Sequence, residues 1–136
     1  MKEKKMASNF RFSQRSEGNL KGVNPALVRV ARRALEITTV DFIVIEGFRT
    51  LERQKALKAA GASKTLDSRH LTGHAVDLFP VGGDWNDYKC WLPVLDAMHQ
   101  AGAELGVKLR FGITWTGNPH DKPARFLDAP HVEIPA

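Results

Sequence analysis

The sequence predicts an α+β fold, in which a small, largely antiparallel sheet is flanked by helices packed on one side. Stretches with apolar residues at helical spacing alternate along the chain with short runs rich in β-branched residues. Glycine, proline and asparagine separate these stretches. The length of 136 residues is that of one domain, and no repeat or low-complexity tract is present. We therefore expect residues 1–136 to form a single domain.

The beginning of the chain predicts little regular structure before one amphipathic helix. Residues 1–22 are polar, and we expect a mobile tail at about 1–9, followed by a short ordered segment at 10–20. The Asn-Pro pair at 24–25 suits the N-cap and first position of a helix. Its apolar residues recur at helical spacing through about Thr38.

A strand and a second helix follow, with an arginine between them. The run Asp41–Glu46 is rich in β-branched residues and predicts a mostly buried strand. Thr50 then caps a helix expected over Leu51–Ala60, and Gly61 ends it. Arg49 therefore lies where a strand ends and a helix begins, a position that suits a functional side chain or a surface ion pair.

The second half predicts a third helix and further strands. A break at 80–84 precedes a helix expected from 84 or 86 to about 105, in which Pro93 either begins the regular part or kinks it. We expect strands at 107–111 and 130–134, separated by a loop whose length indicates function. Three aromatic residues near the start of this helix suit a core or groove wall better than a cofactor site: Trp85, Tyr88 and Trp91.

Composition limits the classes of function. No apolar run approaches the roughly 20 residues that cross a bilayer, so we expect no stable membrane insertion. The basic start lacks the apolar core of a Sec signal peptide. The single cysteine, Cys90, cannot form an intramolecular disulfide and is expected to be a buried apolar residue. The net charge of +5 favours an anionic partner, but the absence of a nucleic-acid-binding motif argues against nucleic acid.

Two distant segments carry candidate metal ligands. His70, His74 and Asp77 lie close together in the middle of the chain, and Asp128 and His131 lie near its end. Imidazoles and a carboxylate, with room left for a water, are the ligand set of a catalytic zinc site. Spacing alone also allows histidines that bind no metal.

The local structure of the first segment decides which side chains can meet. The spacing of His70, His74 and Asp77 would fit one face of a helix, as in zinc peptidases with a His-Glu-x-x-His helix. Gly73 and the β-branched residues around it favour a turn that enters a strand. In an unbroken strand His70 and Asp77 would point to opposite faces, so a bend at 72–73 is required. In the last strand, His131 and Glu133 share a face.

The motifs Ser68-x-His70-x-x-Gly73-x-Ala75-x-Asp77 and Asp128-x-x-His131 resemble those of the zinc D,D-peptidase family. This family, of peptidase M15 type, includes D-Ala-D-Ala dipeptidases and carboxypeptidases, and bacteriophage L-alanyl-D-glutamate endolysins. The run at 46–50 and the whole arrangement from Phe12 onward look most like the small endolysin branch. The resemblance implies a Hedgehog/DD-peptidase-like fold.

The resemblance also implies roles for single residues. It implies three ligands for one zinc ion per chain: His70, Asp77 and His131. It implies that Asp128 is the catalytic acid/base, and that Arg49 and Ser68 contact the substrate or the transition state. His74 matches a variable position and is left out of the metal site. The segment at 112–115 reads Gly-Ile-Thr-Trp, where close relatives are expected to have Gly-Gly-Asp-Trp. This difference affects what the resemblance implies about the shape of the groove and the choice of bond, but not the zinc ligands.

The activity implied by the resemblance is hydrolysis of the L-alanyl-D-glutamate bond in peptidoglycan stem peptides, which lyses the bacterial host. The alternatives are a D-alanyl-D-alanine carboxypeptidase and a non-catalytic, zinc-stabilised binding module. Glu133 is a second candidate for the base, and suits an ion pair better. We expect a monomer that waits in the host cytoplasm until a separate membrane lesion opens the way to the wall.

Overall fold

A four-stranded antiparallel sheet is the framework of the fold. The computed structural model describes residues 8–61 and 68–136. The strands are β1 (Phe42–Glu46), β2 (Ala75–Pro80), β3 (Arg110–Phe111) and β4 (His131–Glu133). They lie in the order β1-β2-β4-β3, and each neighbouring pair is antiparallel. The predicted α+β class is confirmed.

The described ranges also contain four α-helices. These are α1 (Gln14–Leu20), α2 (Pro25–Ile37), α3 (Leu51–Ala59) and α4 (Leu92–Leu105). Side-chain oxygens of Ser13, Asn24 and Thr50 cap α1, α2 and α3, because each accepts a hydrogen bond from a backbone amide of the first turn. None of the helices in these ranges is long and apolar enough to cross a membrane.

One face of the sheet joins the helices in a single hydrophobic core. Val76 of β2, Val132 of β4 and Phe111 of β3 are fully buried there. The apolar stripe of α2, which includes Leu27 and Val30, belongs to the same cluster, as do residues of α4. Because side chains alternate along a strand, the neighbours of these valines point to the opposite face.

The third predicted helix begins later than expected, at Leu92. Asp87 accepts a hydrogen bond from the amide of Lys89 and caps a separate 3₁₀ turn over Tyr88–Trp91. Pro93 then lies in the first turn of α4, where a missing amide hydrogen costs no helical bond, so it begins the regular part.

The last two strands are shorter than predicted, and part of the expected tail is outside the described ranges. Val107 remains tied to the end of α4, because its amide donates to the carbonyl of Gly102 at 2.8 Å. The expected tail lies outside those ranges up to residue 7, while the Ser8 amide donates to the carbonyl of Glu36 at 2.7 Å. The predicted loop after α3 lies outside them at 62–67.

Candidate metal centre and active-site cleft

The face of the sheet opposite the core brings polar residues of all four strands together. Asp77 of β2 lies directly across from His131 of β4, and on its other side it pairs with Glu46 of β1. Glu133 of β4 pairs with Arg110 of β3. The register of three strand pairs therefore places Glu46, Asp77 and His131 in one row across the sheet, and Glu133 and Arg110 in the next row on the same face.

A tight turn brings His70 to this face. The turn Arg69–Thr72 is 3₁₀, and the Ser68 hydroxyl caps it by accepting from the His70 amide at 3.2 Å. Gly73 follows with φ of 75°, and a Cβ on it would lie 2.4 Å from the carbonyl oxygen of Gly22. Only glycine fits there. The predicted bend is confirmed, and the helical alternative is wrong because β2 begins at residue 75.

His70, Asp77 and His131 form a compact cluster. Asp77 Oδ1 lies 3.2 Å from His70 Nε2 and 3.5 Å from His131 Nδ1. One ligand atom from each residue lies within 4.8 Å of the other two, so the group could hold a metal ion. Both imidazoles are buried and meet edge to face, with ring centroids 5.2 Å apart.

Each imidazole is oriented by a hydrogen bond at the ring nitrogen that faces away from Asp77. His70 Nδ1 donates to the carbonyl oxygen of Gly47 at 2.8 Å, which leaves Nε2 towards Asp77. His131 Nε2 donates to Glu133 Oε1 at 2.7 Å, which leaves the other ring nitrogen, Nδ1, facing Asp77. Glu133 in turn accepts from Arg110 Nη2 at 2.8 Å. Such partners fix the tautomer and ring plane of metal-binding histidines, so the residues fit a metal ion.

The electrostatics of the cluster favour a positive charge between its members. Burial acts to raise the pKa of Asp77, but hydrogen bonds from His131 and His70 outweigh it and hold the pKa well below its usual range. Burial likewise acts to lower the pKa of His131, but Asp77 and Glu133 raise it to about 9. The protein thus keeps an anionic ligand ionised, and a metal ion would displace the proton of His131.

Asp128 is placed beside the cluster by a close backbone contact. Its amide donates to the carbonyl of Gly112 at 2.8 Å, and the Gly112 amide donates to the carbonyl of His131 at 2.8 Å. A Cβ on Gly112 would lie 2.3 Å from the Asp128 carbonyl oxygen. Partial desolvation in the cleft raises the pKa of the Asp128 carboxyl, and the negative charge of Asp77 raises it further. Asp128 is therefore suited to exchange protons.

Arg49 lies in the same cleft with its guanidinium group firmly held. Its Nε and Nη2 donate to the two carboxylate oxygens of Glu46 at 2.8 and 2.7 Å, and its Nη1 donates to Gln54 at 2.6 Å. Nη2 also lies 3.9 Å from Asp77 Oδ2. The side chain is only 9% exposed, so this ion pair is buried rather than superficial.

The cleft has a volume of about 560 Å³ and contains every site residue expected from the sequence: Arg49, Ser68, His70, Asp77, Asp128 and His131. His74, which the resemblance leaves out of the metal site, does not line the cleft, and its Nδ1 lies 2.7 Å from the hydroxyl of Thr72.

Two tryptophans line the cleft. Trp85 is 60% exposed and stacks on Phe79 with ring centroids 4.6 Å apart, whereas Trp91 is buried in the core. The expectation of core or groove wall thus holds: Trp91 is in the core, Tyr88 is partly buried against it, and Trp85 lines the cleft. Trp115 lies 5.3 Å from His131 between ring centroids and has φ of 56°, which is uncommon for a non-glycine residue.

The cleft is also lined by three residues for which the sequence predicts no site role: Arg69, Arg110 and Trp115. The pairing of Arg110 with Glu133 depends on strand register, which residue spacing within either segment does not give. Arg69 lies next to His70 but matches a variable position of the motif, so the motif gives it no role.

The sequence is similar to those of phage L-alanyl-D-glutamate peptidases. Residues 8–134 match the family described as phage L-alanyl-D-glutamate peptidase. The L-alanyl-D-glutamate peptidase of Escherichia phage T5 is 43% identical over 135 residues, which cover 93% of this chain and 98% of that protein. The L-alanyl-D-glutamate peptidase of Listeria phage A118 is 28% identical over 130 residues, which cover 90% of this chain and 42% of that longer protein.

A solved structure agrees with the fold. The crystal structure of the Serratia marcescens L-Ala D-Glu endopeptidase ChiX matches with a TM-score of 0.78 and 37% sequence identity, covering 93% of this chain and 92% of that one. These matches confirm the resemblance to the endolysin branch. The chain belongs to the family of phage L-alanyl-D-glutamate peptidases.

Proposed function

We propose that this chain is a zinc-dependent endopeptidase that hydrolyses the L-alanyl-D-glutamate bond of peptidoglycan stem peptides and so lyses the bacterial host. The strongest support is the cluster of His70, Asp77 and His131 with Asp128 in one cleft. Family membership supports the choice of bond.

Zinc is the metal that suits these residues. His70, Asp77 and His131 offer two imidazole nitrogens and one carboxylate oxygen, and catalytic zinc sites combine three such ligands with an open position. These three residues would hold the zinc ion, which would supply a lowered pKa for bound water and polarisation of the scissile carbonyl group. The hydrogen bonds to Gly47 and Glu133 hold both rings ready for it.

Asp128 is the proposed general acid and base. Its carboxylate would take a proton from the attacking water and return it to the amine that leaves with D-glutamate. The raised pKa supports this role, because a carboxyl closer to neutrality both accepts and releases a proton more readily. Glu133 is less suited, because its two oxygens are engaged by His131 and Arg110.

Arg49 and Ser68 are proposed to bind the reacting peptide. Glu46 and Gln54 fix the Arg49 guanidinium, so it can meet the developing oxyanion without reorganisation. The Ser68 hydroxyl accepts from the His70 amide and still has its own hydrogen to donate, which suits orientation of the substrate backbone.

We further propose that the enzyme acts as a monomer and stays in the host cytoplasm until a membrane lesion gives access to the wall. The proposed ligands and Asp128 meet within one cleft of a single chain, so the proposed chemistry needs no residue from a second copy. Membership in a family of phage peptidases supports the route.

Mass spectrometry of fragments released from purified peptidoglycan tests the proposal. Cleavage should create a new amino terminus on D-glutamate, stop with a chelator, and return when zinc is added. Asp128→Asn serves as the inactive control. Release of D-alanine alone would instead indicate a carboxypeptidase. Intact peptidoglycan at full zinc occupancy would favour a binding module.

A further inference from the structure

Three arginines line the cleft, and two of them are neutralised by carboxylates. Arg49 is paired with Glu46 through two hydrogen bonds. Arg110 is paired with Glu133 at 2.8 Å. Glu46, Glu133 and Arg110 are strand residues, and Arg49 lies just after β1, so both pairs belong to the framework around the metal centre.

Arg69 differs from both of them. Its Nε and Nη2 donate to the carbonyl oxygen of Ile134 at 3.1 and 2.8 Å, which fixes the direction of the side chain. That acceptor is neutral, and within 8–61 and 68–136 no carboxylate forms an ion pair with Arg69. The side chain is half-buried and lines the cleft beside His70. Among the described residues it is therefore an oriented positive charge without a carboxylate partner.

The charge balance of the cleft also favours an anionic ligand. Among the described residues that line it, the acidic ones are Glu46, Asp77, Asp128 and Glu133, and the basic ones are Arg49, Arg69 and Arg110. A divalent ion bound by the metal cluster would therefore leave one excess positive charge. Since the other two arginines are paired, this excess is located at Arg69.

The proposed substrate supplies a matching anion. Glutamate has two carboxyl groups, and a peptide chain can continue through only one of them. An L-alanyl-D-glutamate stem peptide therefore keeps a free carboxylate a few bonds from the scissile amide. A guanidinium group binds a carboxylate with charge-assisted hydrogen bonds that a carboxamide cannot match in strength.

We propose that Arg69 binds this free glutamate carboxylate and makes the enzyme discriminate against stem peptides in which it is amidated. This inference rests on the proposed function and adds a specificity residue to the same site. Arg69 touches the leaving side of the substrate, while Asp128 and the metal ligands act on the bond itself.

Two synthetic peptides test the proposal: one with L-Ala-D-Glu, and one identical except for a carboxamide in place of the free carboxylate. Wild type should prefer the acid. Arg69→Ala should lower kcat/KM for the acid roughly ten- to a hundredfold, mainly through KM, and leave the amide nearly unchanged. Arg69→Lys should restore part of the preference, because it restores the charge but not the planar fork.

Arg110→Ala is the matched control, because it removes a guanidinium that contacts Glu133 instead of substrate. It should lower turnover of both peptides by the same factor. Calorimetry with the Asp128→Asn enzyme gives a second readout, in which tighter binding of the acid should disappear on adding Arg69→Ala. If Arg69→Ala does not fold, Arg69→Gln keeps a donor for Ile134 and removes the charge.

An equal loss on both peptides in the Arg69 variants would overturn the proposal, since Arg69 would then act only on the structure. So would a wild type without preference for the acid. A zinc-loaded wild type that cleaves neither peptide would contradict the proposed function itself, and the two failures are thus distinguishable.

Discussion

Asp77 and His131 face each other directly across the antiparallel pair of β2 and β4, with Asp77 Oδ1 3.5 Å from His131 Nδ1. The neighbouring pair, Val76 and Val132, is fully buried on the other face. A slip of one residue would exchange the two faces, so burial of the valines also fixes the register of the ligands. The core and the metal centre therefore depend on the same alternation of side chains along β2 and β4.

The Asp128→Asn substitution should separate metal binding from catalysis. The amide has nearly the same shape but cannot take up and return a proton, so kcat/KM should fall roughly 10²- to 10⁴-fold. Zinc content by atomic absorption should stay at one ion per chain, because Asp128 lies outside the cluster. Wall lysis at the wild-type rate would remove Asp128 from the mechanism.

Glu133→Gln should weaken the metal site without removing a ligand. The carboxylate accepts from His131 Nε2, and loss of its charge should lower zinc affinity about 10- to 100-fold. Glu104→Gln is the control, since Glu104 also pairs with an arginine, Arg33, but lies outside the cleft. Competition with a chromogenic chelator measures both affinities. Equal zinc affinity in the two variants would contradict the role of Glu133.

The metal-free protein should lose stability as pH rises. The folded-state pKa of His131 is raised from 6.5 to about 9, so its contribution is fully present below about pH 6.5 and lost as pH passes about 9. The change should be roughly 3 kcal/mol in the free energy of unfolding. Urea denaturation in chelator at pH 6.5 and 9.5 measures it. His131→Gln should lack this dependence, and an identical decline in that variant would refute the assignment.

Gly73→Ala should destabilise the fold much more than Gly61→Ala. Both glycines have positive φ, so each substitution carries a left-handed backbone penalty of about 1–2 kcal/mol. At Gly73 the new Cβ would also lie 2.4 Å from the carbonyl oxygen of Gly22, whereas nothing lies within 4 Å at Gly61. Thermal unfolding of the two variants compares them. Equal melting temperatures would show that the turn before β2 relaxes freely.

Much of this site follows from local sequence signals. Gly73 between β-branched residues predicts the bend that brings His70 and Asp77 to one side, and the structure contains that bend. Alternation in the last strand places His131 and Glu133 on one face, where they are hydrogen-bonded. These signals suffice because they depend on backbone geometry within a few residues.

The remaining features depend on contacts between distant segments. The pairing of Glu133 with Arg110 results from sheet register, and the position of Asp128 results from close packing against Gly112. The late start of α4 reflects a 3₁₀ turn capped by Asp87, which competes with the helix for the same residues. Helical periodicity contains no information about that competition.

X-ray absorption spectroscopy of the zinc-loaded protein reports the ligands of the proposed metal centre. We expect two imidazole nitrogens and a carboxylate oxygen at about 2.0–2.2 Å from the zinc ion. One imidazole should be lost in His70→Ala and in His131→Ala. Retention of both imidazoles in either variant, or a wild-type shell without two imidazoles, would contradict a metal centre built from His70, Asp77 and His131.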